Sequence, residues 1–253
     1  MIEVEGLTRR YGASTAVDGV SFLVKAGELL ALVGASGSGK TTTLKMVNRL
    51  VEPTAGRVVV DGTDASRVPA HLLRRGIGYV FQGVGLLPHL TVAENVALPL
   101  RLARRDPRAI ADRVAALLAM VELDPAFGPR LPAALSGGER QRVGVARALA
   151  ASPRVVLLDE PFGALDPSTR DRLQATFSEL RRRLGLTGIL VTHDMAEALL
   201  LADRIGVLRA GRLVQLGTPR ELLRTPADEH VEALLGTPLR QARLVDALLR
   251  DGA

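Results

Sequence analysis

The chain has 253 residues, 47% hydrophobic and 24% charged, which is enough apolar material for a sizeable core in one large domain or two small ones. It has no cysteine, which excludes disulfides and thiolate metal sites; its net charge of +6 lies in scattered arginine runs, and 3% aromatics is too few for a base-stacking platform. No apolar run reaches the ~18–20 residues that cross a bilayer, and the opening MIEVEGLTRR has no apolar signal core, so a soluble, cytoplasmic chain is expected.

In chain order, MIEVEGL, AVDGVSFLV and GRVVVDG read as short strands bounded by glycine. Between the second and third, ELLALVGASGSGKTTTLKMVNRL reads as a buried strand at residues 29–33, a glycine loop and a helix ended by Pro53. Residues 86–150 turn helical. TVAEN offers a capping box at Thr91 and Glu94, and RAIADRVAALLAMVEL has apolar residues at helical spacing. Alternation then resumes: RVVLLDE is a strand, PSTRDRLQATFSELRRRLG a helix, TGILVTHD a strand and MAEALLLAD a helix. RIGVLRAGRLVQLG reads as a hairpin. TPREL opens a helical tail, with Thr218 as N-cap, Pro219 at N1 and Glu221 at N3. Such alternation implies an α/β fold, a mostly parallel sheet with helices on both faces, into which the helical block at 86–150 is inserted.

GASGSGKT, residues 34–41, fits G-x-x-x-x-G-K-[ST] between an expected strand and an expected helix. Gly34, Gly37 and Gly39 let backbone N–H groups curl around phosphate oxygens, Lys40 supplies charge to the β- and γ-phosphates, and the Thr41 hydroxyl can ligate Mg²⁺. Four apolar residues deliver Asp159 to the carboxyl end of its strand, where ligands of open α/β sheets bind. An acid there can hold the same Mg²⁺, and Glu160, one step further out, can take a proton from an attacking water. His193 ends another apolar strand, where it can bond a γ-phosphate, or else Thr192 or Asp194 simply caps the next helix. Gln82 follows a further apolar run and can sense metal or water, or be an ordinary polar strand end. The sum is an ATP or GTP hydrolysis site. The chain has no Asn-Lys-x-Asp guanine reader, and Tyr11 can stack on a base.

ALSGGERQR, residues 134–142, is a second candidate anion site. Ser136 and Glu139 form a capping box, but Gly137 and Gly138 are poor helix formers. Bare backbone at a helix N-terminus is what an anion needs.

With these residues assembled, the chain resembles the nucleotide-binding subunits of ABC transporters over residues 2–236, with the motifs in the family's order. Tyr11 matches the adenine-stacking aromatic, residues 34–41 Walker A and Gln82 the Q-loop. Residues 135–139 match the LSGGE signature, 155–159 Walker B, Glu160 the catalytic glutamate, 164–166 the D-loop and His193 the switch histidine. The resemblance implies a P-loop NTPase with a RecA-like core, an N-terminal antiparallel β subdomain and an inserted α-helical subdomain. It assigns residues 1–85 and 151–217 to β subdomain and core, 86–150 to the helical subdomain, and 218–253 to a C-terminal helical tail without CBS modules. It implies ATP contacts from Tyr11, Gly34, Ala35, Ser36, Gly37, Ser38, Gly39, Lys40, Thr41 and Thr42, with Ser136, Gly137, Gly138 and Asp166 completing a second nucleotide's site. Catalysis falls to Glu160, His193 and Gln82, and Mg²⁺ to Thr41, Gln82 and Asp159.

The resemblance further implies a head-to-tail homodimer around two ATP molecules. It would sit at the cytoplasmic face of the inner membrane as a peripheral subunit on integral-membrane permease subunits, fed indirectly by a periplasmic or lipid-anchored substrate-binding protein. TTTLKMVNRLVEPTAG and GLLPHLTVAENVALPL look most like importers of glycine betaine, choline and carnitine, with amino acids, polyamines, sulfonates or methionine as the alternative solutes. A nucleic-acid-acting ATPase would carry a long insertion where this chain has only residues 83–135, so no nucleic-acid partner is expected. An exporter ATPase is disfavoured by FGALDP. Residues 237–253 are left without a role beyond an amphipathic helix packed on the subunit.

Overall fold

The computed structural model describes residues 1–163 and 165–251. Ala164, part of the D-loop motif, and the last two residues of the tail lie outside the described residues. Strands β1 (Ile2–Tyr11), β2 (Ser14–Val24), β4 (Ala55–Val60) and β5 (Thr63–Asp64) form an antiparallel sheet in the order β2-β1-β4-β5. Strands β3 (Leu29–Val33), β6 (Ile77–Val80), β7 (Val155–Asp159), β8 (Thr187–Val191), β9 (Arg204–Arg209) and β10 (Arg212–Gly217) form a second sheet in the order β10-β9-β3-β8-β7-β6. All its pairings are parallel except β9 with β10, because only a hairpin turn joins those two. The expected buried strand and hairpin are both present.

Strand alternation divides the larger sheet between two cores. Leu30, Leu32, Val155, Leu157, Ile189 and Val191 point to one side. There they pack with helix α1 (Lys40–Val47) and with Ile2, Val4 and Phe22 of the antiparallel sheet. Leu29, Ala31, Val156, Leu158 and Leu190 point to the other side, where helices cover them. Helices on both faces are therefore only half of the arrangement. The first strands, read one by one, give no sign that they would fold over as a layer.

Helices α3 (Val92–Leu102), α4 (Pro107–Met120) and α5 (Gly137–Leu149) contribute Val96, Leu117 and Val143 to that same second core. Helix α6 (Pro167–Leu184) and helix α7 (Met195–Leu201) follow β7 and β8. Three capping boxes form as the sequence implies, Thr91 with Glu94, Ser136 with Glu139, and Thr218 with Glu221.

Three local expectations change. Helix α1 ends at Val47 rather than at Pro53. The chain leaves it through Arg49 at φ 54°, whose guanidinium bonds Ala65 O at 2.9 Å and Val68 O at 2.7 Å, and that tertiary anchor outweighs continued helix. A short helix α2 (Ala70–Arg75) precedes β6 without a periodic signal long enough to find. The tail is two helices, α8 (Pro219–Arg224) and α9 (Glu229–Asp251), broken at the Thr225-Pro226 step because a residue before proline avoids the α region. Among the described residues no helix is long and apolar enough to cross a membrane.

Candidate functional site

The loop at residues 34–39 is shaped by close backbone approach. A Cβ at Gly34 would run into the Leu208 carbonyl oxygen, and one at Gly39, φ 102°, would meet the Ala16 carbonyl oxygen at 2.6 Å. Only glycine fits either position. The Gly211 N–H donates to Ser38 O at 3.1 Å, so the β9–β10 turn braces the loop from outside. Ala35, Ser36 and Gly37 form its exposed crest, and Ser38 is buried. Helix α1 opens at Gly39 with no side-chain cap, so its first N–H groups are left for an anion. Thr41 and Thr42 stand half-buried in that first turn. Lys40 is 5% exposed, and its ammonium donates to Gly34 O at 2.7 Å and Ala35 O at 2.9 Å. Burial lowers its pKa, and the nearby Glu160 and Asp159 carboxylates oppose that shift.

Strand order brings the remaining groups to the same edge. The Thr41 hydroxyl donates to Asp159 Oδ1 at 2.8 Å, and the Tyr79 hydroxyl donates to Asp159 Oδ2 at 3.4 Å. Burial raises the Asp159 pKa, with the Thr41 hydrogen bond acting against it. The Thr41 hydroxyl and Asp159 carboxylate oxygens suit a hard ion such as Mg²⁺. Among the described residues no cluster of three or more His, Asp or Glu could hold a metal.

Glu160 sits at φ 46°, a left-handed conformation costing a non-glycine residue about 1–3 kcal/mol. Its Oε2 accepts from Gln82 Nε2 at 3.1 Å, and its Oε1 lies 3.3 Å from His193 Nδ1. The Gln82 amide nitrogen is thus engaged by Glu160 rather than by the Thr41–Asp159 pair. His193 is well exposed. Behind it Asp194 caps α7 by accepting from the N–H groups of Ala196 and Glu197 at 2.9 and 3.2 Å. Of the two sequence readings of this segment, the structure shows the cap, made by Asp194.

Tyr11 ends β1, half exposed, with the Arg9 guanidinium 4.4 Å over its ring. The hairpin it begins carries Ala16 against Gly39. Ser136, Gly137 and Gly138 stand apart: no hydrogen bond or ion pair among the described residues joins them to residues 34–42. Ser136 Oγ accepts from Glu139 N–H at 3.2 Å, and Glu139 Oε2 accepts from Ser136 N–H at 2.7 Å. A Cβ at Gly138 would lie 2.5 Å from Thr169 Cγ2, so this glycine also lets α5 meet α6. Asp166 caps α6, accepting from Thr169 N–H at 3.1 Å and Ser168 Oγ at 2.9 Å. Hydrogen bonding from the Thr169 side chain first, then from the Thr169 N–H and the Ser168 hydroxyl, holds its carboxyl down to about 2.

Three participants escaped sequence reasoning. Tyr79 carries a signal only in its alternation on β6, which pairs with β7. Arg170 Nη1 lies 3.7 Å from Asp194 Oδ2, and its Nη2 donates to Leu165 O at 3.2 Å, tying the starts of α6 and α7 together. Glu197 is 5% exposed, and burial first and Asp194 second push its pKa up to about 8. No local motif marks either residue.

A P-loop, an Asp–Glu strand end, a glutamine and a histidine on one edge, and a separate capped LSGGE helix define an ABC-type nucleotide-binding cassette. The chain belongs to the ABC transporter family, whose model matches residues 17–163. It is 48% identical to the glycine betaine/carnitine/choline transport ATP-binding protein OpuCA of Bacillus subtilis (strain 168), over 93% of this chain and 62% of that protein. It is 46% identical to the sulfate/thiosulfate import ATP-binding protein CysA 2 of Agrobacterium fabrum, over 99% of this chain and 72% of that protein. The chain thus spans about 62% of the length of the first of these relatives. The dimeric post-hydrolysis structure of the cassette MJ0796 bound to ADP and Pi aligns at TM-score 0.79 and 34% identity, covering 87% of this chain and 99% of that one.

Proposed function

We propose that this chain binds and hydrolyses ATP as the energising subunit of a bacterial ABC importer. The observation that carries this reading is Glu160 at the end of β7, held between Gln82 and His193 beside the P-loop. In that reading the loop, Lys40 and the first turn of α1 bind the phosphates, and Tyr11 stacks on adenine. Glu160 takes the proton of the water attacking the γ-phosphorus, while His193 and Gln82 orient that carboxylate and the phosphate. Thr41 and Asp159, together with Gln82, would hold Mg²⁺, which would offset negative charge on the bound phosphates.

Ser136, Gly137, Gly138 and Asp166 serve the ATP of a second copy, in a head-to-tail twofold homodimer. Two observations support this: the separation of the signature from the chain's own P-loop, and the dimeric state of the MJ0796 neighbour. The dimer works on permease subunits at the cytoplasmic face of the inner membrane, and a periplasmic or lipid-anchored binding protein supplies the solute.

The solute is a quaternary-amine osmoprotectant of the glycine betaine, choline and carnitine class. The transport named for the 48%-identical OpuCA supports this choice. Sulfate or thiosulfate is the second reading, from the 46%-identical CysA 2. Uptake of labelled glycine betaine, choline and sulfate in a strain lacking the chain separates them. Loss of betaine and choline uptake alone supports the first, and loss of sulfate uptake alone replaces it with the second.

A further inference from the structure

Gln82 reaches Glu160 from a turn held in an uncommon conformation. Gly83, Val84 and Gly85 have φ of 72°, 69° and 56°. The two glycines take left-handed angles freely, but a β-branched residue such as Val84 does not. Inside the turn, Val84 N–H donates to Phe81 O at 2.9 Å and Gly85 N–H to Gly83 O at 2.8 Å. From outside, helix α5 grips it. Arg147 Nη2 donates to Val84 O and Arg147 Nη1 to Gly85 O, both at 2.8 Å. One helical turn earlier, Gly144 leaves room for the Val84 side chain, since a Cβ there would lie 2.8 Å from Val84 Cγ1. Positions 144 and 147 share a helix face, so one face of α5 holds both the backbone and the side chain of Val84.

Arg147 is 8% exposed. Burying a guanidinium is costly unless its donors are matched, and the two turn carbonyls match them. We propose that Arg147 is a positioning residue for Gln82. Its two bonds fix the turn at residues 83–85, and the turn delivers the Gln82 amide to Glu160 Oε2. The helix capped by Ser136 therefore also sets a partner of Glu160. This rests on the ATPase reading and deepens it, adding a residue that no local motif marks.

The test uses the full chain, with amide hydrogen exchange on the ligand-free protein, equilibrium binding of a fluorescent ATP analogue, and steady-state hydrolysis. Arg147→Met, which fills space without donating, is expected to speed exchange in residues 81–86 by about tenfold, with residues 34–42 unchanged. It is expected to lower kcat by about tenfold, the size of one lost hydrogen bond to a charged group, with the dissociation constant held within about twofold. Arg147→Lys, which keeps a charged donor, is expected to recover part of both effects. Gln82→Ala is expected to lower kcat as far as Arg147→Met does, and the double variant to stay within about twofold of Gln82→Ala alone. Should Arg147→Met fail to fold, Gly144→Ala, which presses on Val84 with Arg147 in place, must give the same exchange, the same fall in kcat and the same lack of additivity. Unchanged exchange at 81–86 overturns the proposal alone, since that measurement needs no nucleotide. So do losses that multiply in the double variant, a wild-type rate in Gln82→Ala, or equal effects of Met and Lys that track melting temperature. Failure of the wild-type chain to hydrolyse ATP overturns the reading beneath the proposal and the proposal with it.

Discussion

Glu160 and His193 come from neighbouring strands and meet with His193 Nδ1 3.3 Å from Glu160 Oε1, while the other Glu160 oxygen takes the Gln82 amide. Both carboxylate oxygens are therefore oriented by groups that the chain brings in from elsewhere. If Glu160 is the general base, Glu160→Gln lowers kcat by about 10²- to 10⁴-fold and leaves ATP binding intact. Phosphate release and equilibrium binding on the same sample check this. Turnover within tenfold of wild type removes Glu160 from that role.

Asp159 shows a trade between stability and function. Burial raises its pKa, so the ionised carboxylate destabilises the ligand-free fold at neutral pH. Asp159→Asn is expected to raise ligand-free stability and to abolish the Mg²⁺ dependence of ATP binding. Denaturant unfolding and a Mg²⁺ titration measure the two effects, and a less stable variant contradicts the reasoning.

Glu197 gives a pH dependence of definite sign. Its folded-state pKa is pushed up to about 8 from the ordinary 4.5, by burial first and by Asp194 second. Between those values the folded state holds a proton that the unfolded state has released, so stability falls as pH rises from about 4.5 towards 8. Glu197→Gln should flatten that fall, and at pH 8 it should melt higher than wild type. Parallel melting curves for the two proteins across this range would falsify the assignment.

Ser136 tests the split site. Ser136→Ala removes a capping box and is expected to cost about 1 kcal/mol of stability. In the proposed dimer it also lowers hydrolysis without weakening ATP binding to the monomer. Equal losses of affinity and turnover would place the signature in the chain's own site. Gly138 is a poor probe of the same question, because a side chain there meets Thr169 and disturbs the α5–α6 contact as well.

Much of the site was legible because its residues are marked locally. The P-loop lies between an apolar strand and a helix, Asp159 ends four buried residues, and Ser136 with Glu139 spells a cap. The partners of those residues were not legible. Tyr79 reaches Asp159, and Arg170 reaches Asp194, only because β6 pairs with β7 and the fold brings the starts of α6 and α7 together. The second layer over the sheet was invisible strand by strand for the same reason: covering is a relation between distant segments. Helix ends at residues 47 and 224 were set by tertiary anchors and by a proline step, which periodicity does not report.

Because β6, β7 and β8 lie side by side in the order β8-β7-β6, the backbone serves as a ruler for the reaction. Adjacent strands sit about 4.8 Å apart, and Gln82, Glu160 and His193 each stand just past the end of one of these graduations. Lengthening a loop, or changing the helical segment between residues 86 and 150, alters what reaches the edge of the sheet. It cannot alter the gauge. In the proposed reaction, the width available to a phosphate and its attacking water is inherited from hydrogen-bonded strands, and is as hard to change as the sheet itself.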